Sequence, residues 1–417
     1  MAYKSHVNDL LKVLEIARNL VLNLNLQALI RQIEQAAVNV LVCERATVFV
    51  LDKSTGNLCS LLVDRFEKIH ISPDVGIAGS CFNSGNVINV ADAYGDPRFN
   101  KAIDLETGFI TRNILAAPLL AEEKNVIGVL EVLNKNGGAF GKWDELILEA
   151  LAAQCGIAIH RQALIEDIVE RKRLQQELAI AREIQKSLLP AAAPVIAGFD
   201  IAGWSQSAEE TGGDFFDFHT DADGNLLMIL ADVSGHGVGP ALLAAECSAL
   251  QRAVFTLIDD YRLSLKLLNH MLCQNIPDDR FITVFTAYLN AKNNSLSYLS
   301  AGHGPVFMFR HLEGRIDALP VNELPVGINP NALYDLWQTV ILNPGDILAA
   351  FTDGFFESED SQGNRFGIDR ISQSIIRHAE LPAAKLIQSV YADLLNFEKG
   401  VRQQDDLTAV VIKKKTL

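Results

Sequence analysis

One helical period runs with few breaks from Asp144 to Leu189, where Pro190 and the run Ala191-Ala192-Ala193-Pro194 stop it. It divides a chain of 417 residues that is already too long for one ordinary core. Before it, between Ala46 and Leu133, short β-type runs such as Thr47-Val48-Phe49-Val50-Leu51 and Asn86-Val87-Ile88-Asn89-Val90 are separated by turns rich in Gly, Asp and Asn. A helical pattern from Val7 to about Val42 precedes these runs. After the long helix, Gly198 to Lys413 mixes strands and helices afresh. The order implies an α/β multidomain chain: one mixed domain, a long helix leaving it, and a second, larger domain.

With 49% hydrophobic and 21% charged residues the chain is well filled and globular. No apolar run approaches the ~18–20 residues that cross a bilayer. Lys4, Asp9, Lys12 and Glu15 interrupt the apolar residues of the N-terminus and argue against a secretory signal. The six cysteines form no C-x-x-C pair and read as buried free thiols of a reducing compartment, the cytoplasm. A net charge of −15 argues against a nucleic-acid surface. Within the long helix, Leu174, Leu178, Ala181 and Leu188 form an apolar stripe that offers a face to a partner helix or to a neighbouring domain.

The larger domain repeats one oddity. "ADVSGHGVGPAL" ends an apolar run, Leu226–Leu230, with Asp232 and a glycine-rich turn. "TGGDFFDF" places Asp214 before another, "GDILAAFTDGFFES" ends one at Asp353-Gly354, and Asp405-Asp406 precede Leu407–Ile412. Singly, each reads as a turn. Together, carboxylates at strand ends can converge on one mouth, where they repel unless cations neutralise them. Hard oxygen ligands with water suit Mg(II) or Mn(II), and two such ions around a water make a phosphoester-hydrolysis centre.

At this point residues 180–413 resemble a PPM-type (type 2C) Ser/Thr protein phosphatase of the SpoIIE-like branch. The motifs run in order: Glu183-Ile184-Gln185 with Leu188-Leu189-Pro190, Gly212-Gly213-Asp214, Asp232-Val233-Ser234-Gly235-His236-Gly237, Ser300-Ala301-Gly302-His303, Thr352-Asp353-Gly354 and Asp405-Asp406-Leu407-Thr408. The resemblance implies an α-β-β-α sandwich with two Mn(II) or Mg(II) ions at one edge. It makes Asp214 and Asp232 the ligands nearest the reacting water, with Asp353, Asp405 and the Val233 carbonyl completing the metal shells. Ser234 stands where many relatives carry a histidine as general acid, which leaves His236 with either that role or a structural one. His303 reads as a hydrogen-bonding turn residue, and no phosphate-binding arginine can be placed. The implied substrate is a phosphoserine or phosphothreonine on a small bacterial regulator, typically an anti-sigma-factor antagonist.

In the first domain "NKNGGAFGKWDE" (134–145), "GIAG" (76–79), "NVADAYGDPRFN" (89–100) and "TGFITRNIL" (107–115) are similar to GAF domains of cyclic-nucleotide phosphodiesterases and cyanobacterial adenylyl cyclases. The similarity covers about residues 26–163. It maps ligand contacts to Thr47, Asp64, Ile77, Ala78, Thr107, Thr111 and Glu131, and makes Lys135 and Asp144 a salt-bridge lock. It implies cAMP or cGMP as regulatory ligand, although Val63 replaces a purine-stacking phenylalanine of some relatives. No cysteine is placed to hold a bilin. The expected organisation is an N-terminal helix (1–25), the α+β sensor (26–163), a helical linker (164–192) and the phosphatase (193–417). The linker is expected to join a parallel homodimer in which the sensor repositions residues 174–189. A pseudophosphatase that only docks phosphoproteins, with the GAF domain as a dimerisation module, is the alternative; the four ligand-type aspartates favour catalysis.

Overall fold

The computed structural model describes residues 11–15, 18, 26–60, 69–122, 125–258, 260–277 and 279–416. The expected helix over 1–25 and the sensor position Asp64 therefore fall largely or wholly outside the described residues. The chain divides into two compact units, 1–173 and 174–417.

In the first unit six strands form one sheet: β1 (Cys43–Leu51), β2 (Leu58–Ser60), β3 (His70–Ile71), β4 (Ile88–Val90), β5 (Ile114–Glu122) and β6 (Asn125–Lys135), ordered β3-β2-β1-β6-β5-β4. Side chains alternate across a strand, so each strand feeds two layers. Val48, Leu115, Ala117, Leu130 and Val132 pack with Leu29, Ile30 and Ile33 of the helix Leu26–Leu41 and with Leu148, Leu151 and Cys155 of the long helix. Phe49, Ile114, Ala116 and Val129 point the other way, toward the short helix Gly76–Ser84.

The second unit is a sandwich of two five-stranded sheets. One has the order β14-β11-β10-β9-β8 and contains β8 (Phe215–Thr220), β9 (Leu226–Val233), β10 (Ile282–Asn290), β11 (Ser295–Ala301) and β14 (Gln338–Ile341). The other, β13-β12-β15-β16-β7, contains β7 (Phe199–Gln206), β12 (Val306–Arg310), β13 (Arg315–Leu319), β15 (Ile347–Phe351) and β16 (Leu407–Lys414). The apolar run of β9 serves both faces. Leu226, Met228 and Leu230 meet Leu348, Ala350 and Val410 between the sheets. Leu227, Ile229 and Val233 meet Ala244 and Cys247 of the helix Val238–Leu257 and Leu265 and Leu268 of the helix Tyr261–Leu272. On the outer face of the second sheet, Phe307, Ala349 and Val411 pack on Ile371, Ile375, Leu386 and Val390 of the helices Gly367–His378 and Ala383–Glu398. Three apolar layers thus make an α-β-β-α sandwich, as the resemblance implies.

The long helix spans Lys142–Leu188, 47 residues. Of its weak stripe, Leu174 is exposed, whereas Leu178, Ala181 and Leu188 are half-buried. All six cysteines are free; five are buried and Cys273 is half-buried. Among the described residues no helix is long and apolar enough to cross a membrane.

Candidate active site and sensor pocket

Antiparallel pairing brings one end of each sheet to a common edge. Strand β8 begins there after Asp214, β9 ends there with Asp232, β15 ends just before Asp353, and β16 begins just after Asp405-Asp406. The sequence-predicted aspartates meet here. Asp214 is buried, Asp232 and Asp353 are half-buried, and Asp405 is exposed. Burial is the first cause that raises the Asp214 carboxyl well above its usual range, followed by the charges of Asp232 and Asp406; the Thr352 and Thr408 hydroxyls pull the other way. Burial, then Asp353 and Asp405, likewise raises Asp232. Asp353 is pushed up to about 6 by burial and by Asp405 and Glu357.

Burial and mutual repulsion that raise these carboxyls make a counter-charge at this edge favourable. Oδ2 of Asp214 is buried without a hydrogen-bond partner. A cavity of about 20 Å³ beside it is also lined by Arg182 and Ser248, each with a buried polar atom equally unmatched. This edge fits a divalent cation with its waters. Among the described residues, however, no three His, Cys, Asp or Glu side chains are gathered closely enough to grip an ion as they stand.

The glycines shape this edge in two ways. Gly235 and Gly237 turn with φ +90° and +89°, in the left-handed region that other residues avoid. At Gly213 a Cβ would stand 2.9 Å from the Val233 carbonyl oxygen and would cover it. The Gly213 N–H donates to Asp406 Oδ2 at 2.7 Å, and the Ala208 N–H donates to Asp406 Oδ1 at 2.9 Å. Asp406 therefore buckles the loop that carries Asp214, a role its sequence neighbourhood does not reveal.

A second clamp comes from the long helix. The Gln185 amide donates to the Gly212 carbonyl at 2.5 Å and accepts from the Gly212 N–H at 3.0 Å. Three residues on, the Leu188 carbonyl accepts from Arg252, which also pairs with buried Asp217 at 2.5 Å. The face around Gln185 and Leu188 thus packs on the sandwich itself, which settles which neighbour this part of the helix meets.

His236 is exposed on the loop between Gly235 and Gly237. His303 is 4% exposed, and its Nδ1 lies 3.1 Å from the Thr283 hydroxyl, opposite Asp232 in the β9–β10 register. Burial pushes its imidazole down to about 4, with the Phe351 backbone pulling the other way. Its ring is thus held inside the sandwich beside Thr283.

In the first unit a cavity of about 60 Å³ lies between the sheet and the helix Gly76–Ser84, lined by Arg45, Phe49, Asp104, Thr111, Glu131 and, from the helix start, Ile77 and Ala78. Thr47 shares the face of Arg45 and Phe49 and lies opposite Glu131 in the register, but does not line the cavity. Burial pushes the Glu131 carboxyl up to about 7, with Arg45 opposing and Asp104 reinforcing. The Thr111 hydroxyl and N–H both donate to Asp104, each at 2.7 Å, so its donor is already committed inside the domain. Thr107 ends the helix Lys101–Thr107; its side chain lies outside the described set. Lys135 Nζ meets Asp144 Oδ1 at 2.7 Å and the Leu41 carbonyl at 3.1 Å, which ties β6 to the start of the long helix and the end of the first.

Comparison with known proteins agrees with this geometry. The family "Stage II sporulation protein E (SpoIIE)" matches residues 222–415, and "GAF domain" matches residues 25–159. The chain is 28% identical over 246 residues to the phosphoserine phosphatase RsbU of Bacillus subtilis, covering 59% of this chain and 72% of that protein. It is 25% identical over 275 residues to protein IcfG of Synechocystis, covering 60% of this chain and 42% of that protein. It is also 29% identical over 187 residues to a probable 3',5'-cyclic phosphodiesterase, pde-5, of Caenorhabditis elegans, covering 41% of this chain. The chain spans only 25% of that last protein's length. The solved SiaA-PP2C domain of Pseudomonas aeruginosa superimposes with a TM-score of 0.52 at 20% identity, over 58% of this chain and 98% of that one, and shares the fold. Residues 222–415 thus match the SpoIIE family and residues 25–159 the GAF family, and the carboxylate-edged sandwich shares its fold with a solved PP2C domain.

Proposed function

We propose that the protein is a metal-dependent phosphoprotein phosphatase whose activity is set by a small ligand in its GAF domain. The observation that carries this reading is Asp214, a buried carboxylate with an unmatched oxygen, set among Asp232, Asp353, Asp405 and Asp406 at one edge of the sandwich. Asp214, Asp232, Asp353, Asp405 and the Val233 carbonyl would hold two Mn(II) or Mg(II) ions. Such ions, when bound, supply activation of a water and neutralisation of phosphoryl charge. The chain's own part is positional. Asp406 and Gln185 fix the loop of Asp214 from two sides, Gly213 keeps the Val233 carbonyl open, and exposed His236 can offer a proton to the departing serine oxygen.

The substrate is a phosphoserine or phosphothreonine protein of the anti-sigma-factor-antagonist kind, in keeping with a relative named as a phosphoserine phosphatase. The sensor ligand is a cyclic nucleotide, cAMP or cGMP, seated against Ile77, Ala78 and Glu131; a cavity of about 60 Å³ must widen to admit it. The enzyme works in the cytoplasm as a parallel homodimer, with residues 193–417 as the catalytic domain and the linker helix as coupler. Leu146, Ile157, Leu164 and Ile168 are exposed, and steps of eleven, seven and four residues hold them on one helical face within about 40°. That face suits a second copy of the helix.

The test is hydrolysis of p-nitrophenyl phosphate and of a phosphoserine protein, with Mn(II) titrated in. Activity should vanish in chelator and in Asp232→Asn, with the fold intact by circular dichroism. Full turnover in either case would refute the metal assignment. Calorimetry of the full chain should register cAMP or cGMP; silence with both at millimolar concentration removes the nucleotide from the reading but leaves the phosphatase.

A further inference from the structure

A further cavity in the second unit lies away from the carboxylate edge. Strand β8 starts beside Asp214 and ends at Thr220, where a short turn leads to Leu226 of β9. At about 3.3 Å per residue this turn is roughly 20 Å from Asp214. Beside it opens a cavity of about 180 Å³, whose lining includes His219, Asp221, Thr256, Ile258, Tyr261 and Tyr288. That is the space of about six waters, and it is larger than the sensor cavity.

One wall is aromatic and fixed. The rings of Tyr261 and Tyr288 stack 4.3 Å apart at 10°, and Trp337 meets Tyr261 edge-on at 4.8 Å. The polar side is negative. The Asp221 carboxylate accepts from the Tyr288 hydroxyl at 2.8 Å, from Nδ2 of Asn225 at 2.9 Å, and from the N–H groups of Asp223 and Asn225 at 3.0 and 2.8 Å. All four donors are neutral, so they fix the group without cancelling its charge. Burial opposes that charge, yet these bonds outweigh it and hold the carboxyl below its usual range. Among the described residues no cation pairs with Asp221: Lys292 is taken by Asp223, Arg252 by Asp217, and Arg262 lies over the Tyr261 ring. Asn225, 4% exposed and bonded to both Asp221 and Tyr288, keeps a buried Oδ1 with no partner. The 20-residue helix Val238–Leu257 also ends here, with Thr256 and Ile258 on the cavity and no basic residue in its last turn. Its C-terminus adds partial negative charge that the last turn does not offset.

A carboxylate, a helix C-terminus and an unmatched buried acceptor call for a positive donor, and the aromatic rings beside them favour an organic cation over a hydrated metal ion. We propose that this cavity binds a small alkylammonium or alkylguanidinium compound, its charge beside Asp221 and its chain along the tyrosine rings. Such binding does not depend on the phosphatase chemistry.

Agmatine is the probe, titrated by calorimetry into the full chain with Mn(II) saturating, so that the carboxylate edge is not open to it. Agmatine should bind, and butylurea, its neutral counterpart, should not. Asp221→Asn should weaken agmatine about tenfold to a hundredfold, the loss of a charged partner. Asp223→Asn, which removes the same charge from the exposed neighbouring carboxylate, should leave binding unchanged. Thr256→Lys, at an exposed helix position, brings an ammonium to the cavity from the chain itself. It should abolish agmatine binding and raise Tm, and it keeps the test decisive if Asp221→Asn does not fold. An acetylated Gly-Arg-Gly amide that binds more tightly than agmatine would uphold the site and place its cation on a protein side chain. Silence with both cations at millimolar concentration, equal binding of butylurea, or undiminished binding in Thr256→Lys overturns the proposal.

Discussion

Replacing Gln185 by Ala removes both hydrogen bonds between the helix end and Gly212, at 2.5 and 3.0 Å, without touching a carboxylate. Gly212 is buried, so its N–H and carbonyl lose their partners with little access to water. Each unmatched backbone group costs about 1–3 kcal/mol, less whatever water recovers, so the change should weaken the loop's anchorage by about 2–3 kcal/mol. Asp406 still holds Gly213, so Asp214 should become mobile rather than lost. At 1.4 kcal/mol per factor of ten, that is roughly a 30- to 150-fold cost if metal binding must first restore the loop. Manganese titration of phosphatase activity should show the half-saturating concentration raised by about tenfold or more, with kcat at saturating metal close to wild type. Ser187→Ala, at an exposed neighbouring position, is the control. If Gln185→Ala titrates with manganese as the wild type does, the helix end does not position Asp214 and the reasoning fails.

Two other outcomes are open to measurement. The folded pKa of His303, about 4, lies below the usual ~6.5, so the unfolded chain takes up a proton first as pH falls. The stability this residue contributes is complete above pH ~6.5 and fades toward pH 4, by up to about 3 kcal/mol; urea melts should show that loss in the wild type and a smaller one in His303→Gln, and parallel pH profiles would refute it. Ligand control through the helix should depend on its phase: two residues inserted near Gln175 turn its face by about 200° and should abolish regulation, whereas seven restore it within ~20° and should largely preserve it. Equal regulation in both would make the helix a tether.

Much of the architecture is legible in the sequence because strand faces are written locally. Leu226–Val233 is apolar at every position but one, and it packs on both faces. The aspartates are visible as breaks at the ends of such runs, and Lys135 and Asp144 stand nine residues apart in one motif. What stays hidden depends on partners far along the chain. Asp406 grips Gly213 and Ala208 across almost two hundred residues, and nothing near it distinguishes it from Asp405. Gln185 lies in a motif whose sequence tells nothing of Gly212. Thr111 lines the sensor cavity, yet its hydroxyl is spent on Asp104, seven residues back, through a turn that periodicity does not encode.

The carboxylate edge draws Asp214 and Asp232 from one sheet and Asp353 and Asp405 from the other, with Asp406 reaching across to hold the first. Its geometry is thus also a measure of how the two sheets are aligned. A slide of one sheet over the other by a fraction of a residue would leave every strand paired and every helix packed. It would nonetheless pull the acidic groups out of mutual reach. The domain can consequently be silenced while remaining folded, and in mild denaturant its catalysis should fade ahead of its circular dichroism.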